Sequence, residues 1–498
     1  MAEAAPRTEG RGADVEGARR ALAAALGPDG VLADPLALRI YARDASMVEG
    51  GCALVAFPRS VEDVQACVRI AAGHGLPIVP RGSGTGLAGG ATPIGDALVV
   101  ATARMHRILE VRPEDRLAWV EPGVLNLDLA TALRPTGFTY APDPSSQQSC
   151  SIGGNVNTNA GGPHCLAYGV TSNHVLAVDV VLPDGRLERF GSEGPEWPGL
   201  DLRGIVVGSE GTLGIVARIC VRLTPLPPAT RTMLFDFPTV EACAQTVTDV
   251  IAAGVVPAAI EMMDHGIVVA AEAFAHAGYP TDAAAILIVE VDGLPEAVEA
   301  QGRAVEAAAR RNGTRHVRVA ADEAERALIW KGRKNAFGAV ARIAPHYHLH
   351  DCVVPRTKLV EVLSGVYRIA RRHDLVVTNV FHAGDGNLHP LLSFDRRVPG
   401  TLERVLRASE EIVRLCVEAG GVLSGEHGIG LEKRDFMPLV FSAEDLAAQD
   451  CLRGAFDPDR RMNPHKVLPA GARCGDFAMA RGRSVEEALA RMPEGSWI

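Results

Sequence analysis

The five residues Thr224-Pro225-Leu226-Pro227-Pro228 break this chain more sharply than any other stretch. A proline has its φ fixed by the ring and carries no backbone N–H, so the segment can neither continue a helix nor donate into a strand ladder. A chain of 498 residues is too long for one hydrophobic core, and it is expected to divide here. With 47% hydrophobic and 22% charged residues the composition is that of ordinary soluble domains. A net charge of -10 argues against nucleic acid as a partner.

Strands and helices alternate on both sides of the break. Before it, 15–26 reads as a short amphipathic helix, 54–58 as a buried strand, and Ser60 with Asp63 as a cap opening a helix to about Gly73. A strand at 77–80 follows. Residues 151–162 are expected to be loop, because so many Gly and Asn disfavour regular structure. Residues 175–182 and the turn Pro183-Asp184-Gly185 read as an edge-like hairpin. After the break come a strand at 232–237, a helix at 240–253, a strand at 284–291, a helix at 295–311 and a strand at 316–319. This predicts an α+β sheet with helices on one face. Ser442 caps a closing helix, and beyond Leu468 only an amphipathic piece at 485–491 stands out in a peripheral tail.

The ten cysteines are scattered without a C-x-x-C pair, so the chain offers no evident iron-sulfur or structural zinc cluster. The N-terminus has no apolar signal core, and no stretch approaches the roughly 20 uncharged apolar residues that span a bilayer. A cytoplasmic protein is expected, meeting a membrane only through partner subunits.

Two kinds of segment carry chemistry. PRGSGTGLAGG (80–90) follows a strand, and its glycines let successive N–H groups turn toward an anion such as pyrophosphate. It is neither a Walker loop nor a clean Rossmann fingerprint, and alone it is as easily a tight turn. With PDPSSQQSCSIGGNVNTNAGG (142–162) and GSEGTLGIV (208–216) it makes three polar glycine-rich segments able to wrap an extended dinucleotide. The second kind is VFHAGDGNLHP with SGEHGIG. His382 and His389 flank a turn, and with Glu426 they make a divalent-metal shell with open positions, zinc first and manganese or iron(II) behind it. His427 then stands beside the metal as a proton acceptor. Each imidazole alone is more readily a satisfied structural group; the adjacent Glu426-His427 pair is what argues otherwise.

The three glycine-rich segments resemble the FAD-binding domain of the vanillyl-alcohol oxidase (PCMH-type) flavoprotein superfamily. HAGDGNLHP, SGEHGIG and DPDRRMNPHKVLP are similar to its D-2-hydroxy-acid dehydrogenase branch, nearest to the FAD-binding subunits of glycolate oxidases, over about 40–468. The resemblance implies an N-terminal extension (1–39) and a PCMH-type FAD-binding domain of two α/β subdomains (40–226). It implies next an antiparallel-sheet α+β substrate or cap domain (227–450), a segment returning to the flavin (451–468) and a tail (469–498). It implies that Arg81, Gly82, Ser83, Gly84, Thr85 and Gly86 cradle the pyrophosphate. Pro142, Asp143, Ser146, Gly153, Gly154, Asn155, Asn159 and Gly162 would line the flavin, Gly211, Ile215 and Val216 its second side, and Asn463 would reach back to the ring. The 83–85 stretch offers no histidine for a covalent bond, so non-covalent FAD is expected, with Cys150 and Cys165 as the nearby thiols.

By the same resemblance Arg333 holds the substrate carboxylate, although an arginine among Lys331 and Lys334 on a charged helix is usually solvated. Asn387 holds the substrate or only the turn. Relatives acting on dicarboxylates place a threonine and a lysine where this chain has Phe337 and Leu349, so glycolate or D-lactate is expected. The product is the 2-oxo acid, with hydride passing to flavin; proton abstraction from the α-carbon is the other route these residues allow. Electrons would go to a non-NAD acceptor, through a second flavin-domain subunit and an iron-sulfur subunit. Other readings are a D-2-hydroxyglutarate-type dehydrogenase, a non-redox flavoprotein and a zinc hydrolase. His346, His348 and His350 read as exposed strand histidines, or else as a second metal site.

Overall fold

A computed structural model of the chain describes residues 13–194 and 198–469. The amphipathic stretch at 485–491 and Cys474 lie outside the described residues. The fold is α+β, built on three principal sheets.

The first sheet runs Val31–Leu32, Cys52–Ala56, Ala97–Ala101, Ile78–Arg81, parallel except for the first pair. The helices Val15–Leu26 and Val61–Gly73 cover it, burying Ala18, Leu22, Val64 and Val68 against Leu54, Ile78 and Leu98. Ser60 caps the second of these helices by accepting from the Asp63 N–H at 3.2 Å. The N-terminal segment is therefore not an appendage: its helix is part of this core and Val31–Leu32 extends the sheet. The second sheet is antiparallel, in the order Ile108–Arg112, Leu117–Val120, Ile215–Arg222, Val175–Val181, Leu187–Gly191.

One expectation fails here. Ile152–Thr158 is a helix, with Ser151 as its N-cap and Asn159 at φ 50° ending it. Tertiary packing overrides the weak propensity: a Cβ at Gly153 would stand 2.5 Å from Pro122 Cβ, and one at Gly82 would stand 2.4 Å from Ser151 Oγ. The glycines let this helix lie against the Pro122 turn and the first glycine loop.

At the proline break, Leu226 supplies the N–H between the prolines, and it donates to Gly137 O at 2.9 Å. The third sheet runs from the edge strand Val317–Val319 through Ala229–Phe237, Ala285–Gly293, Ala259–Asp264 and Val376–His382, all antiparallel. Period-two alternation splits its side chains. Met233, Phe235 and Phe237 face the helices Val240–Ala252, Pro295–Arg311, Leu359–Arg372 and Thr401–Glu418. Leu234, Ile286 and Ile288 face His265–Ala275 and Glu323–Lys334. Helices thus cover both faces, not one, because the helix His265–Ala275, which alternation did not predict, joins Glu323–Lys334 to make the second layer.

The helix Ala443–Phe456 runs through the expected boundary at 450/451; the return to the first sheet starts later, where Ile78 donates to Arg461 O and accepts from Asn463 N. Among the described residues no helix is long and apolar enough to cross a membrane.

The unit before the proline break and the unit after it meet through a buried charge network. His164 Nδ1 lies 2.9 Å from Asp143 and Nε2 lies 3.3 Å from Glu290 of the second unit. Glu290 also accepts from Arg326, Trp330 and Thr232. Burial pushes the His164 imidazole down, but Asp143 and Glu290 outweigh it and the group is pushed up to about 10. A histidine pKa raised on folding contributes stability that is complete below its ordinary value near 6.5 and lost as pH rises through 10. The melting temperature is expected to fall across that window, and thermal melts of His164→Gln against pH are expected to show a flatter profile.

Candidate active site

The glycine segments converge on one cleft of about 380 Å3, within the range of about 300–1,000 Å3 usual for ligand sites. Arg81, Gly82, Ser83, Gly84, Thr85, Gly86, Ser146, Gly153, Gly154, Asn155, Gly211, Ile215 and Val216 all line it. Gly84 has φ 74°, and a Cβ there would collide with the Arg81 guanidinium. The residues present suit a long polar dinucleotide: glycine backbone at one end, small hydroxyl and amide side chains along the walls. Cys150 also lines the cleft, but burial pushes its thiol up, as it does that of Cys165, and neither is a ready nucleophile.

Five residues expected around the flavin are not on the cleft wall, and each has a structural task. Pro142 O accepts from Asn126 Nδ2, and Asp143 holds His164. Asn159 ends the helix and accepts from the Ser172 N–H. Gly162, at φ 156°, passes so close to Asp143 that a Cβ would stand 2.5 Å from its carbonyl. Asn463 donates to Gly90 O and Glu210 O, tying two cleft segments together from beneath.

At the cap end of the cleft, beside Glu426 and His427, stand Lys334, Phe337, Tyr347 and Leu349. The turn between His382 and His389 needs Gly386, whose φ is 78° and whose added Cβ would stand 2.2 Å from Val354 O. It brings the two rings to 5.1 Å, edge to face, while His427 stacks on His389 at 5.0 Å. Glu426 Oε1 lies 3.2 Å from His382 Nε2, 3.4 Å from His389 Nε2 and 3.6 Å from His427 Nε2. Ligand atoms around a tetrahedral zinc with bonds of ~2.0–2.1 Å stand ~3.3–3.4 Å apart. The donor atoms of His382, His389 and Glu426 all fall within 4.8 Å of one another, and both ring nitrogens of buried His389 lack a hydrogen-bond partner among the described residues. The set therefore fits a divalent cation. Asp351, His389 and His427 form an overlapping set. Burial pushes His389 down to about 4, whereas Glu261 and Glu426 outweigh burial and hold His382 well above its ordinary value, so a cation would have to displace that proton, since a ligating imidazole is neutral. Burial pushes Glu426 up, but the imidazoles, His382 foremost, outweigh it and hold the carboxyl well below its ordinary range.

Arg333 is not solvated. It is fully buried, Nε donating to Glu261 Oε2 at 2.7 Å and Nη2 lying 2.5 Å from the same oxygen. Neither Nη1 nor Nη2 makes a hydrogen bond among the described residues, and neither does Asn387 Oδ1. The histidine cluster also departs from expectation: His350 is buried, and His346 and His348 are half-buried.

Two families match this chain, the C-terminal domain of FAD linked oxidases over residues 226–467 and the FAD binding domain over 52–191. Glycolate oxidase subunit GlcD of Escherichia coli K12 is 46% identical over 85% of this chain and 85% of its own. GlcD of Bacillus subtilis is 39% identical over 84% and 89%. A probable mitochondrial D-lactate dehydrogenase of Danio rerio is 32% identical over 83% and 84%. The chain belongs to the FAD-linked oxidase family. It is an FAD-linked oxidoreductase. Two solved structures share the fold: p-cresol methylhydroxylase with substrate bound, at a TM-score of 0.78 and 17% identity over 92% of this chain and 98% of that one, and 4-ethylphenol oxidase from Gulosibacter chungangensis, at 0.75 and 19% over the same shares.

Three carboxylates of this FAD-linked oxidoreductase escaped the sequence reading. Glu261 lies between His382 and Arg333. Asp351 is fully buried and accepts from Ser424 Oγ, from the N–H groups of Gly425 and His427, and from Lys433 Nζ. Glu210 accepts from the N–H groups of Ile429 and Gly430. Asp351→Ala leaves Lys433 an unpaired buried cation and frees N–H donors, so it is expected to destabilise the protein by roughly 3–5 kcal/mol, read as a lower urea midpoint together with loss of substrate oxidation.

Proposed function

We propose that this protein oxidises a small D-2-hydroxy acid, glycolate or D-lactate, to the 2-oxo acid in a metal-assisted reaction. The carrying observation is that His382, His389, Glu426 and His427 meet at the cap end of the glycine-lined cleft. His382, His389 and Glu426 would hold the cation, zinc or else manganese or iron(II). When bound, the cation lowers the pKa of the substrate hydroxyl. FAD, bound without a covalent link, supplies the acceptor for the hydride.

The chain's own residues do the rest. Arg333 carries unpartnered terminal nitrogens, Nη1 and Nη2, that a substrate carboxylate would satisfy, and Asn387, opposite His382 in the strand register, contributes an unpartnered amide oxygen. His427 takes the hydroxyl proton at Nε2, the nitrogen on the Glu426 side. Phe337, its ring 5.9 Å from that of His389, and Leu349 close the far end with apolar surface, which favours a monocarboxylate. Lys334, the cation lining that end, lies against Gln147 and Asp143. The glycolate oxidase relatives are named as subunits. We extend that to a complex in which electrons leave for a second flavin-domain subunit and an iron-sulfur subunit.

Anaerobic stopped-flow against paired D- and L-2-hydroxy acids is the test. Glycolate or D-lactate is expected to bleach the bound flavin, with the L-enantiomer far slower; equal bleaching by both enantiomers, or by neither, defeats the reading. His427→Ala is expected to keep the yellow colour and slow bleaching roughly 10²–10⁴-fold. Chelation is expected to abolish bleaching, and added zinc or manganese to restore it.

A further inference from the structure

Glu261 is where the two ends of the proposed site meet. It stands in the strand Ala259–Asp264, fully buried, and the antiparallel register sets it opposite His382. Its Oε1 lies 2.7 Å from His382 Nδ1, and its Oε2 accepts from Arg333 Nε at 2.7 Å. We propose that Glu261 is a positioning residue, one carboxylate that sets both the ring state of His382 as a metal ligand and the aim of Arg333 at the substrate carboxylate. This rests on the metal-assisted hydroxy-acid reading.

A carboxylate accepts and does not donate. With Oε1 on Nδ1, a neutral His382 must carry its hydrogen there, which leaves the lone pair on Nε2, the nitrogen facing Glu426. Carboxylate partners of this kind fix the tautomer and orientation of metal-bound histidines. The other oxygen accepts from Arg333 Nε and lies 2.5 Å from Nη2, and it leaves both terminal nitrogens without a hydrogen bond among the described residues. A 2-hydroxy acid carries its hydroxyl and carboxylate on adjacent carbons, so the group holding one end must keep a fixed spacing from the group holding the other. A rigid carboxylate in contact with both holds that spacing directly.

The test compares wild type, Glu261→Gln, Arg333→Met and the double variant Glu261→Leu/Arg333→Met, all as full chains loaded with FAD. The double variant replaces the whole buried pair with apolar side chains, so no charge is stranded. Flavin absorbance and a cooperative melt report folding. Zinc affinity, from chelator competition with zinc alone, is expected to stay within about threefold in Arg333→Met and to fall roughly 10–100-fold in the double variant. Whichever way the Glu261→Gln amide turns, its NH2 faces one of the two donors, so at saturating zinc its KM for glycolate is expected to rise about tenfold more than kcat changes. A double variant that binds zinc as Arg333→Met does, or a Glu261→Gln variant with unchanged KM, overturns the assignment. Wild type that binds neither zinc nor manganese overturns the metal reading beneath it instead.

Discussion

The site depends on how the seven residues SGEHGIG are held. This is a turn without helix or strand, so its N–H groups have no ladder to satisfy them. Two buried carboxylates do so from opposite sides. Asp351, at the end of the cap strand His346–Leu349, takes the N–H groups of Gly425 and His427; Glu210, from the FAD-binding unit, takes those of Ile429 and Gly430. Glu426 and His427 thus point where they do because their backbone is pinned between two units of the fold. Carboxylates suit this better than neutral groups because hydrogen bonds to a charged acceptor are shorter and stronger.

That arrangement explains what was legible in the sequence. The residues proposed to contact a ligand carry local signals: glycines where backbone must approach closely, histidines seven apart around a turn. The residues that orient them do not, because their partners are remote in sequence. Glu261 and His382 are 121 positions apart, Asp351 and His427 are 76 apart, and Glu210 and Ile429 are 219 apart. Alternation and capping predicted the helices Val15–Leu26 and Pro295–Arg311 from first residue to last. They could not predict Ile152–Thr158, whose glycines read as breakers but serve as contact points against Pro122 and Gly82. Arg333 carries no local signal for its place: its neighbours Lys331 and Lys334 point to a solvated face, and only the family resemblance singled it out, yet the burial of Ile329, Trp330 and Arg333 turns that stretch inward.

Burying so many charges is costly, and a well-packed apolar core of the same volume would be at least as stable. What the charges supply is definition of position. His164 between Asp143 and Glu290 sets the cap against the cleft, and Glu261 between His382 and Arg333 sets two functional groups against each other. In both cases the charged groups meet in one geometry, whereas an apolar contact would tolerate a slide of an ångström.

The distance between the proposed base and the flavin cleft is fixed more simply still. Leu431 N donates to Ala88 O at 2.8 Å, so the turn carrying Glu426 and His427 is bonded directly to the first glycine loop. Gly430, at φ 53°, passes so close that an added Cβ would stand 2.0 Å from the same carbonyl. Backbone meets backbone with no side chain between them, and neither segment can move without breaking bonds to the other. Hydride transfer falls off steeply with misplacement, where a shift of about 1 Å can cost roughly 100-fold in rate. A contact made by glycine on one side and a carbonyl on the other is the least deformable joint a chain can place between a flavin cleft and the groups that present a substrate to it.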